Sequence, residues 1–138
     1  NPLSRRRCVR GPYLYDYAIV RVVPRVEREE FVNVGVILSC PQKKYLEARI
    51  ELDEGRILPL DPGLDLELLR KQLAIYPLIC RGGEEAGPIG RLSQRERFNW
   101  LIAPKSTIIQ NSPVHTGWCE HPDQVLEHLL NTMVKPAR

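Results

Sequence analysis

The sequence predicts a single α+β domain, an antiparallel β-meander of three or more strands with one face covered by two to three α-helices. Three observations carry this expectation. Residues 13–52 contain three consecutive segments of period-two hydrophobic alternation, residues 64–133 contain apolar stripes at helical spacing, and no internal repeat, low-complexity tract or linker divides the chain. The length of 138 residues and the 43% apolar content suffice for one hydrophobic core.

The strands come first. Along residues 13–23, Leu14, Ala18, Val20 and Val22 fall on one side, with Asp16 interrupting the row, and Tyr13, Tyr15, Tyr17, Ile19 and Arg21 fall on the other. Pro24 ends this strand. Residues 30–40 place Val32, Val34, Val36, Leu38 and Cys40 on one face, against Phe31, Asn33, Gly35, Ile37 and Ser39. Residues 45–52 turn Leu46, Ala48, Ile50 and Leu52 inward and Glu47, Arg49 and Glu51 outward. The links PRVERE and PQKK are of hairpin length, so the meander is the economical topology.

Helices follow the turn residues Asp61, Pro62 and Gly63. Leu66, Leu69, Leu73 and Tyr76 form one stripe over residues 64–76, and Pro77 is expected to end or kink that helix. Residues 81–90 hold four glycines, a proline and two glutamates, which reads as a mobile loop. Ser93 and Glu96 form a capping box that starts a helix reaching about Leu101, and Pro104 limits it. Residues 106–111 and 114–119 are strand-like, with Pro113 between them giving edge or loop character. Pro122 opens a final helix with Val125, Leu126, Leu129, Leu130 and Met133 on one face, expected to pack on the meander.

Charge separates the first residues from the rest. The chain carries 20 Lys+Arg and 17 Asp+Glu, a net +3. Arg5, Arg6, Arg7 and Arg10 lie in residues 1–10 without an acid, so residues 1–12 form a basic arm and residues 13–138 a domain close to neutral. Nucleic-acid binding would therefore rest on the arm. The four cysteines, Cys8, Cys40, Cys80 and Cys119, form no C-x-x-C pair, and Cys40 falls on an apolar strand face, as a reduced thiol in a reducing cytoplasm would. No apolar run approaches the roughly 18 residues of a membrane span, and the arginines at the start lack the apolar stretch of a signal peptide.

Chemistry-bearing residues cluster in three places. HTGWCEHPD brings the metal-ligand types His115, Cys119 and His121 together, but a fourth ligand is missing and Pro122 explains the segment as a helix start, so no metal is expected. His115 as a base for Ser112, Thr116 or Cys119 has the right composition without a nucleophile-elbow motif to orient it. The stretch RGGEEAGPIGR has a phosphate-loop flavour with Arg81 and Arg91 at its ends, yet Glu84 and Glu85 would repel phosphate and no G-K-[ST] follows. No cofactor is expected. The third place is a polar patch: Arg21 facing Asn33 across the first hairpin with Gly35 beside them, extended by Arg95, Arg97, Trp100, Lys105 and Ser106. Arginine and tryptophan are enriched at interface hot spots. The competing assignment pairs Arg21 and Arg49 with Glu47 or Glu51 on a solvated sheet and buries Trp100.

The runs YDYAIVRVVPRVEREEFVNVGVIL, DPGLDLELL and AGPIGRLSQRERFNWLIAPKSTIIQNSPVHTG, in that order, resemble a small bacterial family known as domain of unknown function 3037, over roughly residues 13–135. The resemblance implies a soluble bacterial protein and carries over no catalytic residues. It also implies an association with genes for HipA-like kinases, and hence a kinase-like partner in a toxin–antitoxin setting. The sequence thus points to a cytoplasmic, non-enzymatic interaction module or accessory subunit. The alternative is a small enzyme or nucleotide-handling domain using residues 91–116, and the third reading is nucleic-acid binding through Arg5, Arg6, Arg7 and Arg10. An edge strand that pairs between subunits leaves a homodimer open.

Overall fold

Alternating apolar side chains need a sheet with something packed against it, and the chain supplies helices for both sides. The computed structural model describes residues 11–136; the arginines of the basic arm and Cys8 lie outside the described residues. Five strands, β1 (Tyr13–Val22), β2 (Val32–Cys40), β3 (Tyr45–Ile50), β4 (Ile109–Asn111) and β5 (His115–Cys119), form one antiparallel sheet. Its order is β3-β2-β1-β4, with β5 also on β1. The helices are α1 (Glu54–Ile57), α2 (Leu66–Arg81), α3 (Gln94–Ile102) and α4 (Pro122–Leu129), the last running on into a π-helical turn over Leu130–Val134. The expected α+β class and the three-strand meander are both present. Among the described residues no helix is long and apolar enough to cross a membrane.

The first core lies between the sheet and α2 and α3. Val20, Val22, Val32, Val34, Ile37, Leu46 and Ala48 meet Leu69, Leu73, Tyr76, Ile79, Phe98 and Leu101 there. A second core lies on the opposite face, where Ile19, Val36, Leu38, Cys40 and Cys119 meet Leu126, Leu130 and Val134 of α4 and its continuation. The helix-covered face is therefore joined by a second one, under a single helix. Cys40, Cys80 and Cys119 are buried free thiols.

This two-sided burial corrects the reading of β2. Its residues do not keep one row from Val32 to Cys40, because Val20 pairs with Gly35 while Arg21 pairs with Asn33, leaving Val34 as the extra residue of a β-bulge. Val32 and Val34 face α2 and α3; beyond the bulge Val36, Leu38 and Cys40 face α4. Period two could not reveal the change of phase, since the run from Val34 to Leu38 is apolar or Gly at every position. Gly35 is required here for space: a Cβ would lie 2.7 Å from the Arg49 carbonyl oxygen.

Two further expectations change. Pro77 does not end α2, which continues to Arg81. The continued turns bury Ile79 and Cys80, and burial of that size outweighs one missing backbone hydrogen bond. Residues Glu84–Arg91 are not an open loop but 3-10 turns broken at Gly87 (φ 69°), with the Gly83 N–H donating to the Gly90 carbonyl at 3.1 Å. The Ser93 capping box forms as expected, with the Glu96 N–H donating to Ser93 Oγ at 3.2 Å. Pro113 separates β4 from β5, and the two short strands divide one edge of β1, pairing with Val20–Val22 and Tyr13–Tyr17 respectively.

Burial has a titratable consequence. It pushes the Cys80 thiol up to about 12 and, joined by the neighbouring Cys40, the Cys119 thiol up to about 11. Burial also raises Tyr76, and burial with the Glu47 hydrogen bond raises Tyr45. These are acids whose folded values exceed their unfolded ones, so the stability they contribute is complete below pH 9 and declines as pH rises toward the folded values. Thermal melts should show a Tm that falls as pH rises from 9 to 11, offset in part by the Lys105 amine, which burial pushes down to about 8 so that its contribution to stability grows as pH rises. A Cys80→Ala/Cys119→Ala double variant should start lower and fall less steeply over the same interval.

Candidate functional site

Arg21 sits near the end of β1 on the α4 side of the sheet, between two cross-strand neighbours, Asn33 of β2 and Gln110 of β4. The bulge at Val34 puts Asn33 there. The Arg21 guanidinium lies over the Phe31 ring, 4.3 Å from its centroid, a geometry that steers the cation without neutralising it. Among the described residues no carboxylate lies within ion-pair distance of Arg21; Arg49 takes Glu127 instead, so neither arginine uses Glu47 or Glu51.

The polar atoms around Arg21 are incompletely used. Arg21 Nε is buried without an acceptor. Asn33 Nδ2 donates to the Met133 carbonyl at 2.9 Å, while its Oδ1 is buried without a donor. A buried polar atom without a partner costs about 1–3 kcal/mol, so Arg21 Nε and Asn33 Oδ1 are a cost the fold carries, and the rest of the half-buried Arg21 side chain is what an incoming polar group would meet. Phe31 and Met133 flank it as exposed apolar side chains. The arrangement offers charge-assisted donors beside an exposed apolar rim.

The other patch residues lie elsewhere. Arg97 Nη1 donates to the carbonyls of Ile79 (2.8 Å) and Cys80 (2.6 Å), and its Nε donates to the Leu92 carbonyl at 3.1 Å, closing the C-terminal end of α2. Lys105 closes α3 in the same way: Nζ donates to the carbonyls of Trp100, Leu101 (3.0 Å) and Ala103 (2.9 Å) and stands 4.3 Å from the Trp100 ring centroid. Burial of that amine pushes it down to about 8. Ser106 Oγ accepts from the Ile108 N–H at 3.1 Å, and half-buried Trp100 packs against the first core. Arg95 is exposed. All five belong to α3 and the segment after it, on the α2 and α3 side. Arg97 and Trp100 are held across the sheet from Arg21 and Asn33, and of the five only Ser106, which lines a cleft with Gln110, comes near them, so the one extended surface expected from the sequence does not form.

Ser112 and the residues of the HTGWCEHPD segment are also dispersed. Ser112 is buried, its Oγ accepting from the Ile19 N–H at 2.8 Å and donating to the Pro113 carbonyl at 2.9 Å. Thr116 donates to Asp16 Oδ1 at 2.6 Å, on one face of β5, while His115 on the other face rests against Tyr17 with ring centroids 5.2 Å apart. Cys119 is in the second core, and His121 is the exposed residue at the start of α4. Among the described residues no three His, Cys, Asp or Glu side chains are grouped to hold a metal ion. Within residues 91–116 a cleft of about 290 Å³ opens between Ile102, Pro104, Thr107, Ile109 and Gln110, lined by no titratable side chain. Gln110, Phe31 and Met133 escaped the sequence reading of the patch. Phe31 had a legible signal, since it shares the face of Asn33 two positions along.

The assignments separate by measurement. Arg97→Ala should lower unfolding stability by about 2 kcal/mol in denaturant melts, because it frees the carbonyls at the end of α2, and should leave partner binding unchanged. Ser112→Ala should cost about 1–3 kcal/mol by stranding the Ile19 N–H.

No curated protein and no solved structure is significantly similar to this chain. The family described as "Protein of unknown function (DUF3037)" matches residues 17–134, a span that holds Arg21, Asn33, Gln110, the bulge and every helix. With nearly all of its domain matched in this way, the chain belongs to the DUF3037 family.

Proposed function

We propose that the protein is a non-enzymatic interaction module, or accessory subunit, that takes an acidic segment of a protein partner at Arg21. The observation that carries this reading is the half-buried Arg21 guanidinium, held on Phe31 beside Asn33 with no carboxylate partner among the described residues. An uncompensated cation in partly desolvated surroundings is costly to a folded chain, and an anionic partner group removes that cost. The reading is supported on the negative side by the uses already made of Ser112 and Thr116, whose hydroxyls are committed to backbone and to Asp16. It is supported against a phosphate backbone by the composition, because residues 11–138 hold 16 basic and 17 acidic side chains. A HipA-like kinase is the first partner to examine.

Tagged protein should retain a stoichiometric protein partner at moderate salt. Arg21→Ala should weaken that complex about tenfold or more with little change in Tm, and Arg97→Ala should lower Tm while binding survives. Equal binding by wild type and Arg21→Ala removes Arg21 from the interface. Elution of nucleic acid, lost on deleting residues 1–10, would replace the module with the arginine-arm reading.

A further inference from the structure

β5 carries two features that the fold leaves unused. Among the described residues its one ladder runs to β1, so the alternate backbone N–H and C=O groups of its outer edge meet no strand. The opposite edge of the sheet is guarded: Glu47 and Arg49 project from β3, with Glu47 bound by the Tyr45 hydroxyl and Arg49 paired with Glu127. β5, with the sequence His-Thr-Gly-Trp-Cys, contains no Asp, Glu, Lys, Arg or Pro. The second feature is the direct cross-strand pair Leu14 and Trp118, which lies on the α2 and α3 side of the sheet yet stays 40% and 54% exposed. Trp118 is the most exposed large apolar side chain among the described residues.

We infer that β5 is a homodimerisation strand, pairing antiparallel with β5 of a second copy about a two-fold axis near Gly117. Charge and symmetry select a second copy. Two-fold pairing sets the strand against itself, which like charges directly opposite one another would oppose, and β5 has no charged side chain to do so. In the register centred on Gly117, Glu120 falls opposite the partner subunit's Val114. Trp118 then lies beside the partner subunit's Thr116 and diagonal to the partner subunit's Trp118, within the roughly 7–8 Å that aromatic rings bridge. Gly117 itself brings no side chain to the axis, and the Tyr15 ring already fills the space on its inner side. A strongly charged strand would find no countercharge along this edge. The resulting sheet runs through both copies and ends at β3, its guarded edge. This surface is separate from Arg21, so its test is independent of the partner-binding site.

The full chain should be examined by sedimentation velocity across a wide concentration range, together with amide hydrogen exchange. The expected result is a mass rising toward twice the 15.9 kDa of one chain, with β5 amides better protected at high concentration. Trp118→Arg and Thr116→Lys should each raise the dimer dissociation constant about tenfold or more, while deletion of residues 1–10 leaves it unchanged. A chain that is monomeric throughout overturns the inference, as does a dimer that both folded variants retain. A deletion that turns a monomer into a dimer also overturns it, by making the arm the occupant of this edge. Hydrogen exchange on the unaltered protein decides the matter should either variant fail to fold.

Discussion

β1 is bonded along both edges and packed on both faces, and the rest of the molecule is arranged around that double constraint. β2 covers one edge along most of its length, while β4 and β5 divide the other. Where those two short strands part, Ser112 bridges the gap, exchanging two hydrogen bonds with the Ile19 backbone. A gap in the ladder at a fully buried residue would strand a polar group, and a serine at that point is a local solution to it. The same reasoning moves Ser112 from the list of nucleophiles to the list of structural staples.

The bulge in β2 follows from the two faces being served by different helices. Its extra residue, Val34, lets the apolar row cross from the α2 and α3 core to the α4 core. That crossing also leaves Asn33 beside Arg21 on the α4 side, where the helix supplies only the Met133 carbonyl and Arg21 Nε and Asn33 Oδ1 stay buried without partners. The candidate site thus arises at the place where the sheet changes phase, consistent with the tendency of bulges to re-aim side chains near functional positions. Gly35 is part of the same construction, since the close Arg49 carbonyl leaves no room for a Cβ.

The charged residues of the α3 segment teach a different lesson. Arg97 and Lys105 look like surface cations in sequence, in the company of a tryptophan, and that composition is shared by interface hot spots and by helix C-terminal caps. Both turn inward to helix carbonyls left without intrahelical partners. Arg21 differs because β1 gives it no such carbonyls: the strand backbone around it is already consumed by ladders on both sides.

By itself the sequence determined the elements whose causes are local. The alternation of β1 and β3, the Ser93–Glu96 capping box, the Pro122 start of α4, the Pro113 break and the Arg21–Asn33 juxtaposition all follow from spacing and turn chemistry within a few residues. Tertiary structure decided what depends on competition between distant groups. The phase of β2 was hidden because an apolar run serves either face, the passage of α2 through Pro77 depended on what Ile79 and Cys80 bury, and the division of cations between caps and an open site depended on which carbonyls lay in reach. Periodicity records which side chains avoid water, whereas the identity of the group they meet is set only when segments far apart in the chain are brought together.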